Sequence, residues 1–373
     1  MKHRVLAAIV LVGCSSSDDP ASPSTDAESE VASDGASDVT TDTVVPGPDT
    51  TSDTPATGVG LSAKHPRDEG MAADPAVLFA SDFEKDLAGF TDYTKDPARI
   101  AVVTDPAVAH GGSKYLSATV TKTMLKGSLG PYVAAMAQVR LSKAVDQVYW
   151  RFHVRFVGKS AVPHHWVRLA AGNAAYDSDG LANTVPPGNG GFWFDFDARD
   201  DGLFGFYAYW HKMRSGRCND GTAVPGCAGD QGTTYYYGNN FVPAGQAAFP
   251  RDAWFCVELM AKANTVGSTD GALSYWKDDA LVGAYEPGKP RGRWLRDNFF
   301  SWGPYFVDER AFEGFDFRTA ADVRFKKITL DAYYELGSLT QREKDRGVTF
   351  PEAQQILYDD VVVATERIGC RTR

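Results

Sequence analysis

Past residue 75 the hydrophobic positions recur with a period of two. Between residues 148 and 157, Val148, Trp150, Phe152, Val154 and Phe156 share one face, and Tyr149, Arg151, His153 and Arg155 share the other. Residues 192–198 set Phe192, Phe194 and Phe196 against Trp193, Asp195 and Asp197. The turn signal Arg199-Asp200-Asp201-Gly202 then leads into 203–213, where Phe204, Phe206, Ala208 and Trp210 oppose Tyr207, Tyr209 and His211. Residues 254–264 place Phe255, Val257, Leu259 and Ala261 opposite Trp254, Glu258 and Lys262. Further strands are expected over 272–276, 280–285, 323–330 and 359–364, and helix only over 339–346 and 351–355. Period-two runs parted by Gly and Asp turns indicate antiparallel sheets with one buried face. The expected class is all-β: an antiparallel sandwich or jelly roll with few short helices.

The start of the chain breaks this pattern. Lys2, His3 and Arg4 precede an apolar run over 5–12 that is too short to cross a bilayer as a helix. Basic, apolar and small residues in that order have the layout of a secretory signal. Leu11-Val12-Gly13-Cys14 resembles the lipobox of bacterial lipoproteins. That resemblance implies a signal peptide over 1–13, lipid on Cys14 and a membrane anchor. It also implies a place in the bacterial cell envelope, with Ser15 suiting the outer membrane. Residues 15–60 hold no Lys, Arg or aromatic side chain. Such a stretch cannot bury enough apolar area to offset its chain entropy. A tether over 14–74 is expected, with a coil reach of about 40 Å, and a single domain over 75–373.

Charge narrows the partners. The chain carries −10, but residues 1–60 hold ten acids against two cations, which leaves −2 for residues 61–373. The folded part has no strong net field and no basic stripe for nucleic acid. A monomer is expected.

With Cys14 assigned to lipid, four cysteines remain. Cys218–Cys227 would close a Gly- and Pro-rich loop, and Cys256–Cys370 would tie the C-terminus to a core strand. The two other pairings remain open on sequence alone. No Cys-x-x-Cys or Cys/His spacing suggests a metal. His164 and His165 alternate to opposite sides of an extended chain, which argues against a shared ion. No cofactor is expected beyond a structural Ca²⁺ in a turn such as Ser268-Thr269-Asp270-Gly271.

The polar faces gather Arg151, His153, Trp166, Arg168, Trp193, Asp195, Asp197, Tyr207, Tyr209, His211 and Glu258. Aromatic rings stack on sugars, and convergent polar groups fix hydroxyls and carboxylates. The runs Val148-Tyr149-Trp150-Arg151-Phe152-His153-Val154, Trp166-Val167-Arg168-Leu169, Tyr207-Ala208-Tyr209, Trp254-Phe255-Cys256-Val257-Glu258 and Tyr358-Asp359-Asp360-Val361 carry a resemblance. Over roughly half the chain they resemble the concanavalin A-like jelly-roll polysaccharide lyases, especially the alginate and glucuronan lyases of family 14.

The resemblance implies β-elimination on a uronate polysaccharide. A cation or donor neutralises the carboxylate, and tyrosines handle protons. Tyr207 and Tyr209 stand at the family's Tyr-x-Tyr, and Arg168 replaces its lysine. The family's Ser-x-Arg falls on Trp193 and Asp195, so an acid stands where a cation would be. His211 would then supply the base, and Arg168 or Arg151 would take the carboxylate. Asp195, Asp197 and Asp200 also echo the Glu-x-Asp-x-x-Glu spacing of jelly-roll glycoside hydrolases, with Asp200 in a turn. The alternative function is a non-catalytic glycan-binding or cell-surface module on the same scaffold, or a structural envelope lipoprotein.

Overall fold

The computed structural model describes residues 58–176, 182–218, 221, 235–301 and 309–371. The strands, in chain order, are β1 (Val77–Ser81), β2 (Asp92–Tyr93), β3 (Ile100–Thr104), β4 (Lys114–Thr121), β5 (Tyr132–Val145) and β6 (Gln147–Phe156). They continue with β7 (Val167–Gly172), β8 (Gly191–Ala198), β9 (Phe204–Tyr209), β10 (Asn239–Phe241), β11 (Phe255–Lys262) and β12 (Ala272–Lys277). The last are β13 (Ala280–Tyr285), β14 (Arg291–Leu295), β15 (Asn298–Phe300), β16 (Arg310–Ala311), β17 (Arg324–Glu335) and β18 (Ala353–Ala364). Three short helices accompany them, α1 (Leu61–Lys64), α2 (Lys122–Lys126) and α3 (Leu336–Arg346), among the described residues.

Among these residues the strands build two sheets. The eight-stranded sheet runs β13-β12-β11-β6-β18-β4-β3, with β1 also on β18. The ten-stranded sheet runs β16-β14-β15-β10-β9-β8-β7-β17-β5-β2. Their pairings are antiparallel except β10 with β15. The chain is an all-β, two-sheet sandwich.

The core sits where the alternation places it. Val148, Trp150, Phe152, Val154 and Phe156 of β6 are fully buried, as are Phe192 and Phe196 of β8. Rings from the two sheets interlock: Phe156 lies 6.4 Å from Phe204, and Trp166 lies 5.6 Å from Phe152 and 5.2 Å from Phe204. Aromatic pairs of this kind add about 1 kcal/mol each beyond their buried area.

Three expectations are corrected here. Trp166, expected to bind substrate, is a core residue. It precedes β7, its backbone N–H bonds Asp197 Oδ1 at 2.8 Å, and its indole N–H bonds Tyr358 at 2.6 Å. The alternation slips at this entry, so Trp166 and Val167 are both in the core. Residues 351–355 are not helical. Ala353 opens β18 opposite Thr121, and the buried Gln354 side chain accepts the Ala161 N–H at 2.6 Å. Sheet pairing overrides a weak local preference there. Finally, the packed unit takes in residues ahead of 75. Leu61 and Met71 are buried against Val362, Ala364 and Ile368, and Leu61 N–H bonds the Arg367 carbonyl at 3.0 Å.

This N-terminal segment and the C-terminal tail lie over the outer face of the eight-stranded sheet. The Cys256–Cys370 disulfide fastens the tail to β11. The Cys218–Cys227 expectation involves Cys227, which lies outside the described residues, as do Cys14 and the tether up to residue 57.

Candidate functional site

The outer face of the ten-stranded sheet carries the chemistry. Register places Thr329, Arg168, Asp195, Tyr207 and Asn240 side by side on β17, β7, β8, β9 and β10. One pleat along, Trp193 faces Tyr209. These side chains gather because each alternates with a buried partner: Arg168 with Val167 and Leu169, Asp195 with Phe194 and Phe196, Tyr207 with Phe206 and Ala208.

Arg168 grips Asp195 through Nε at 2.6 Å and Nη2 at 3.1 Å. Asp195 is buried, so this fork supplies the counter-charge that a carboxylate in a dry site requires. Beside it, His165 Nδ1 lies 3.2 Å from Asp197 Oδ2 and 3.6 Å from Asp195 Oδ2. Burial disfavours the His165 imidazolium, but Asp197 and Asp195 outweigh it and raise its pKa above the ordinary histidine value. The neighbouring His164 is pushed down to about 4 by burial and by His165.

Rings continue across five chain segments. Tyr132 stacks on Tyr333 at 6.3 Å, Tyr333 on His165 at 6.0 Å, and His165 leans on Tyr207 at 5.0 Å. Trp193 lies parallel to Tyr209 at 4.4 Å. The hydroxyls of Tyr207 and Tyr209 are 3.4 Å apart. Gly238 closes over this pair: a Cβ there would fall 2.5 Å from the Tyr207 ring. Burial raises the Tyr207 pKa well above the usual phenol value and takes Tyr209 to about 12. Both are therefore neutral phenols near pH 7, fit to donate protons.

Asp331 on β17 adds a carboxyl whose Oδ1 is buried with no hydrogen-bond partner among the described residues. Burial raises its pKa to about 7, against the pull of Arg168. His165, Asp195 and Asp197 bring donor atoms within 4.8 Å of one another, the spacing of a metal-ligand set. Arg168 already occupies both oxygens of Asp195.

Of the expected site residues, Arg168, Asp195, Asp197, Tyr207 and Tyr209 come together, whereas Trp193, expected to bind substrate, is buried beneath them against the Tyr209 ring and has no face for a ligand. His211 lies beyond β9, with Nε2 3.6 Å from Asp316, the acid that also pairs with Lys212. Arg151, His153 and Glu258 are on the other sheet. Trp150, Phe152 and Leu259 fill the core, so alternation sends these three to the opposite outer face. There Arg151 bonds Asp68 at 2.7 Å and the Asp360 carbonyl at 2.9 Å. Glu258 accepts the Ile368 and Gly369 N–H groups at 2.7 and 3.0 Å and holds the tail. Asp200 pairs with Arg342 at 3.2 Å, away from Asp195 and Asp197. The calcium candidate Asp270 accepts from Thr265 N–H at 2.6 Å and from Lys262 Nζ at 3.1 Å.

His165, Asp331 and Tyr333 were missed. The last two continue the alternation of β17 against the buried Leu330, Ala332 and Tyr334, so a longer strand reading would have found them. His165 has no such signal, because its position depends on the slip before β7.

No family model and no curated protein matches this chain. Among solved structures it is similar to the endo-β-1,4-glucuronan lyase of Trichoderma reesei, at 14% identity over 78% of this chain and 95% of that one, with a TM-score of 0.44. It is also similar to the PL-14 alginate lyase of Aplysia kurodai, at 17% identity over 78% of this chain and 99% of that one, TM-score 0.47. The alginate lyase vAL-1 from Chlorella virus is similar at 12% identity over 78% and 99%, TM-score 0.47.

Proposed function

We propose that this protein is a polysaccharide lyase that cleaves a uronate-containing polymer by β-elimination on the outer face of the ten-stranded sheet. One observation carries the reading: His165, held by Asp197 at 3.2 Å, lies against Tyr207, whose hydroxyl is 3.4 Å from that of Tyr209. Asp197 on Nδ1 leaves Nε2 to act as base, the arrangement by which a carboxylate fixes a histidine tautomer. In the proposed reaction His165 takes the C5 proton, the C4–O bond breaks as the C4–C5 double bond forms, and a tyrosine protonates the leaving oxygen. Arg168 meets the uronate carboxylate. Tyr132, Tyr333, His165 and Tyr207, the partly exposed members of the ring series, give sugar rings a stacking track.

A second reading, glycan binding without cleavage, is favoured by the Arg168–Asp195 fork, which spends two guanidinium N–H groups inside the protein. In either case a lipid on Cys14 would hold the domain at the envelope of a bacterial cell.

The test is release of unsaturated uronate, read by ultraviolet absorbance over a panel of uronate polymers. Product that disappears in His165→Gln and Tyr209→Phe supports the lyase. Retention of a polymer in affinity gels with no product from any of them establishes the binding reading instead.

A further inference from the structure

The ten-stranded sheet continues beyond the tyrosines. β10 pairs with β15 and β15 with β14, so the row that holds Tyr207 passes through Asn240 and Asn298 to Leu295. Neighbours fix the side on which these residues lie. Asn239 and Phe241 flank Asn240, Phe299 follows Asn298, and all three are buried. Asn240 and Asn298 therefore face outward beside Tyr207, and both are partly exposed.

One pleat from that row, toward the end where Asp197 holds His165, Arg293 of β14 stands opposite Phe300 of β15. Gly292 is buried and Trp294 packs against the core, so alternation turns Arg293 to the same outer face. Arg293 is three strands and two residues from Tyr207. With strands about 4.8 Å apart and a rise of about 3.3 Å per residue, that is about 14 Å across the sheet and about 7 Å along it.

Arg293 differs from the arginines around it. Arg291 reaches Glu309 at 3.4 Å, Arg214 reaches Glu313 at 3.4 Å, and Arg168 is forked onto Asp195. The half-buried Arg293 guanidinium makes no ion pair and no hydrogen bond among the described residues. A guanidinium fork left unspent matches a planar carboxylate. The ring track from Tyr132 through Tyr333 and His165 to Tyr207 crosses the strands from β5 to β9. The same course, continued, passes over β10 and β15 to β14.

We propose that Arg293 forms a distal subsite, where it binds the carboxylate of a uronate residue several sugar units along the polymer from the one at Tyr207. The placement of the reaction at Tyr207 rests on the lyase reading; carboxylate binding at Arg293 needs only a uronate chain lying across β9, β10, β15 and β14. Between the two positions the amides of Asn240 and Asn298 suit sugar hydroxyls. A contact so far from the bond that breaks holds substrate and transition state alike, so it lowers KM without entering kcat.

The experiment measures binding and cleavage separately, with glucuronate and mannuronate oligomers from dimer to octamer. Binding is titrated by calorimetry in a His165→Gln background, with and without Arg293→Ala. Arg293→Ala should weaken the octamer by about 10-fold or more and leave the dimer unchanged. Arg293→Lys should recover part of the loss, and a carboxyl-reduced octamer should not distinguish Arg293→Ala from its parent. With His165 intact, Arg293→Ala should raise KM on polymer and leave kcat in place. Equal weakening of dimer and octamer, or an octamer indifferent to Arg293→Ala, would overturn the subsite even where unsaturated product is released. A length-dependent loss with no product from any polymer would instead remove the lyase reading and leave the subsite standing. Failure of the wild type to bind any of these oligomers would overturn both.

Discussion

Arg168 and Asp195 face each other on neighbouring strands, and the guanidinium forks onto the carboxylate at 2.6 and 3.1 Å. In the proposed reaction this pair would decide how a substrate carboxylate is received. Asp195 both positions the arginine and competes for it.

Two substitutions separate these effects. Asp195→Asn should release the guanidinium while keeping the side-chain shape, and so tighten retention of uronate polymers in affinity gels. Arg168→Ala should strand a buried carboxylate and cost about 3 kcal/mol, measured by urea unfolding. Unchanged retention in Asp195→Asn would remove Arg168 from substrate recognition.

Tyr207→Phe and Tyr209→Phe remove one hydroxyl each from a pair 3.4 Å apart. Whichever tyrosine protonates the leaving oxygen should lose about 100-fold or more in product release. Polymer retention should persist, because the stacking rings remain.

Activity should follow the deprotonation of His165. Its pKa is raised by Asp197 and Asp195 against the effect of burial, so the rising limb of the rate profile should lie above the ordinary histidine value of 6.5. Asp197→Asn should move that limb to lower pH. A limb that stays in place would detach His165 from the proton transfer.

Asp331 gives a stability signature of opposite use. Burial raises its pKa from 3.8 to about 7, so the folded state holds the proton more tightly than the unfolded chain. The contribution is fully present below about pH 4 and is lost as pH rises to about 7, at up to roughly 1.4 kcal/mol per unit. Asp331→Asn should flatten the urea-derived stability profile across that window.

The tail should behave as a clasp. Reducing Cys256–Cys370, which spans 114 residues, should cost about 4–5 kcal/mol by loop-closure entropy. Glu258→Ala should loosen the same tail by removing the acceptor of two buried N–H groups. It should leave polymer retention unchanged, because Glu258 lies on the opposite face.

Much of the fold was legible because alternation is a local signal. Phe152, Phe194 and Leu259 declare the buried face of their strands without reference to any neighbour. β5 was harder to see: its inward positions include Ala135 and Ala137, which bury little area and contrast weakly with their neighbours. The Arg168, Asp195, Tyr207 and Tyr209 group was legible for the same reason as the core, since side chains opposite buried ones must share the other face.

By itself the sequence determined the strongly alternating strands such as β6, β8, β9 and β11, which side of each of these is polar, and the acidic segment that sets the net charge apart from the domain. Tertiary structure alone decided which polar sides meet. Period two tells a residue to point out, but it does not say out of which sheet, so Arg151, His153 and Glu258 could not be told from Arg168 and Tyr207. The slip that buries Trp166 and presents His165, and the bulge that brings Asp360 to His110 and His153 across 250 and 207 residues of chain, arise from strand pairing. Pairing is a contact between distant segments, and no local pattern encodes it.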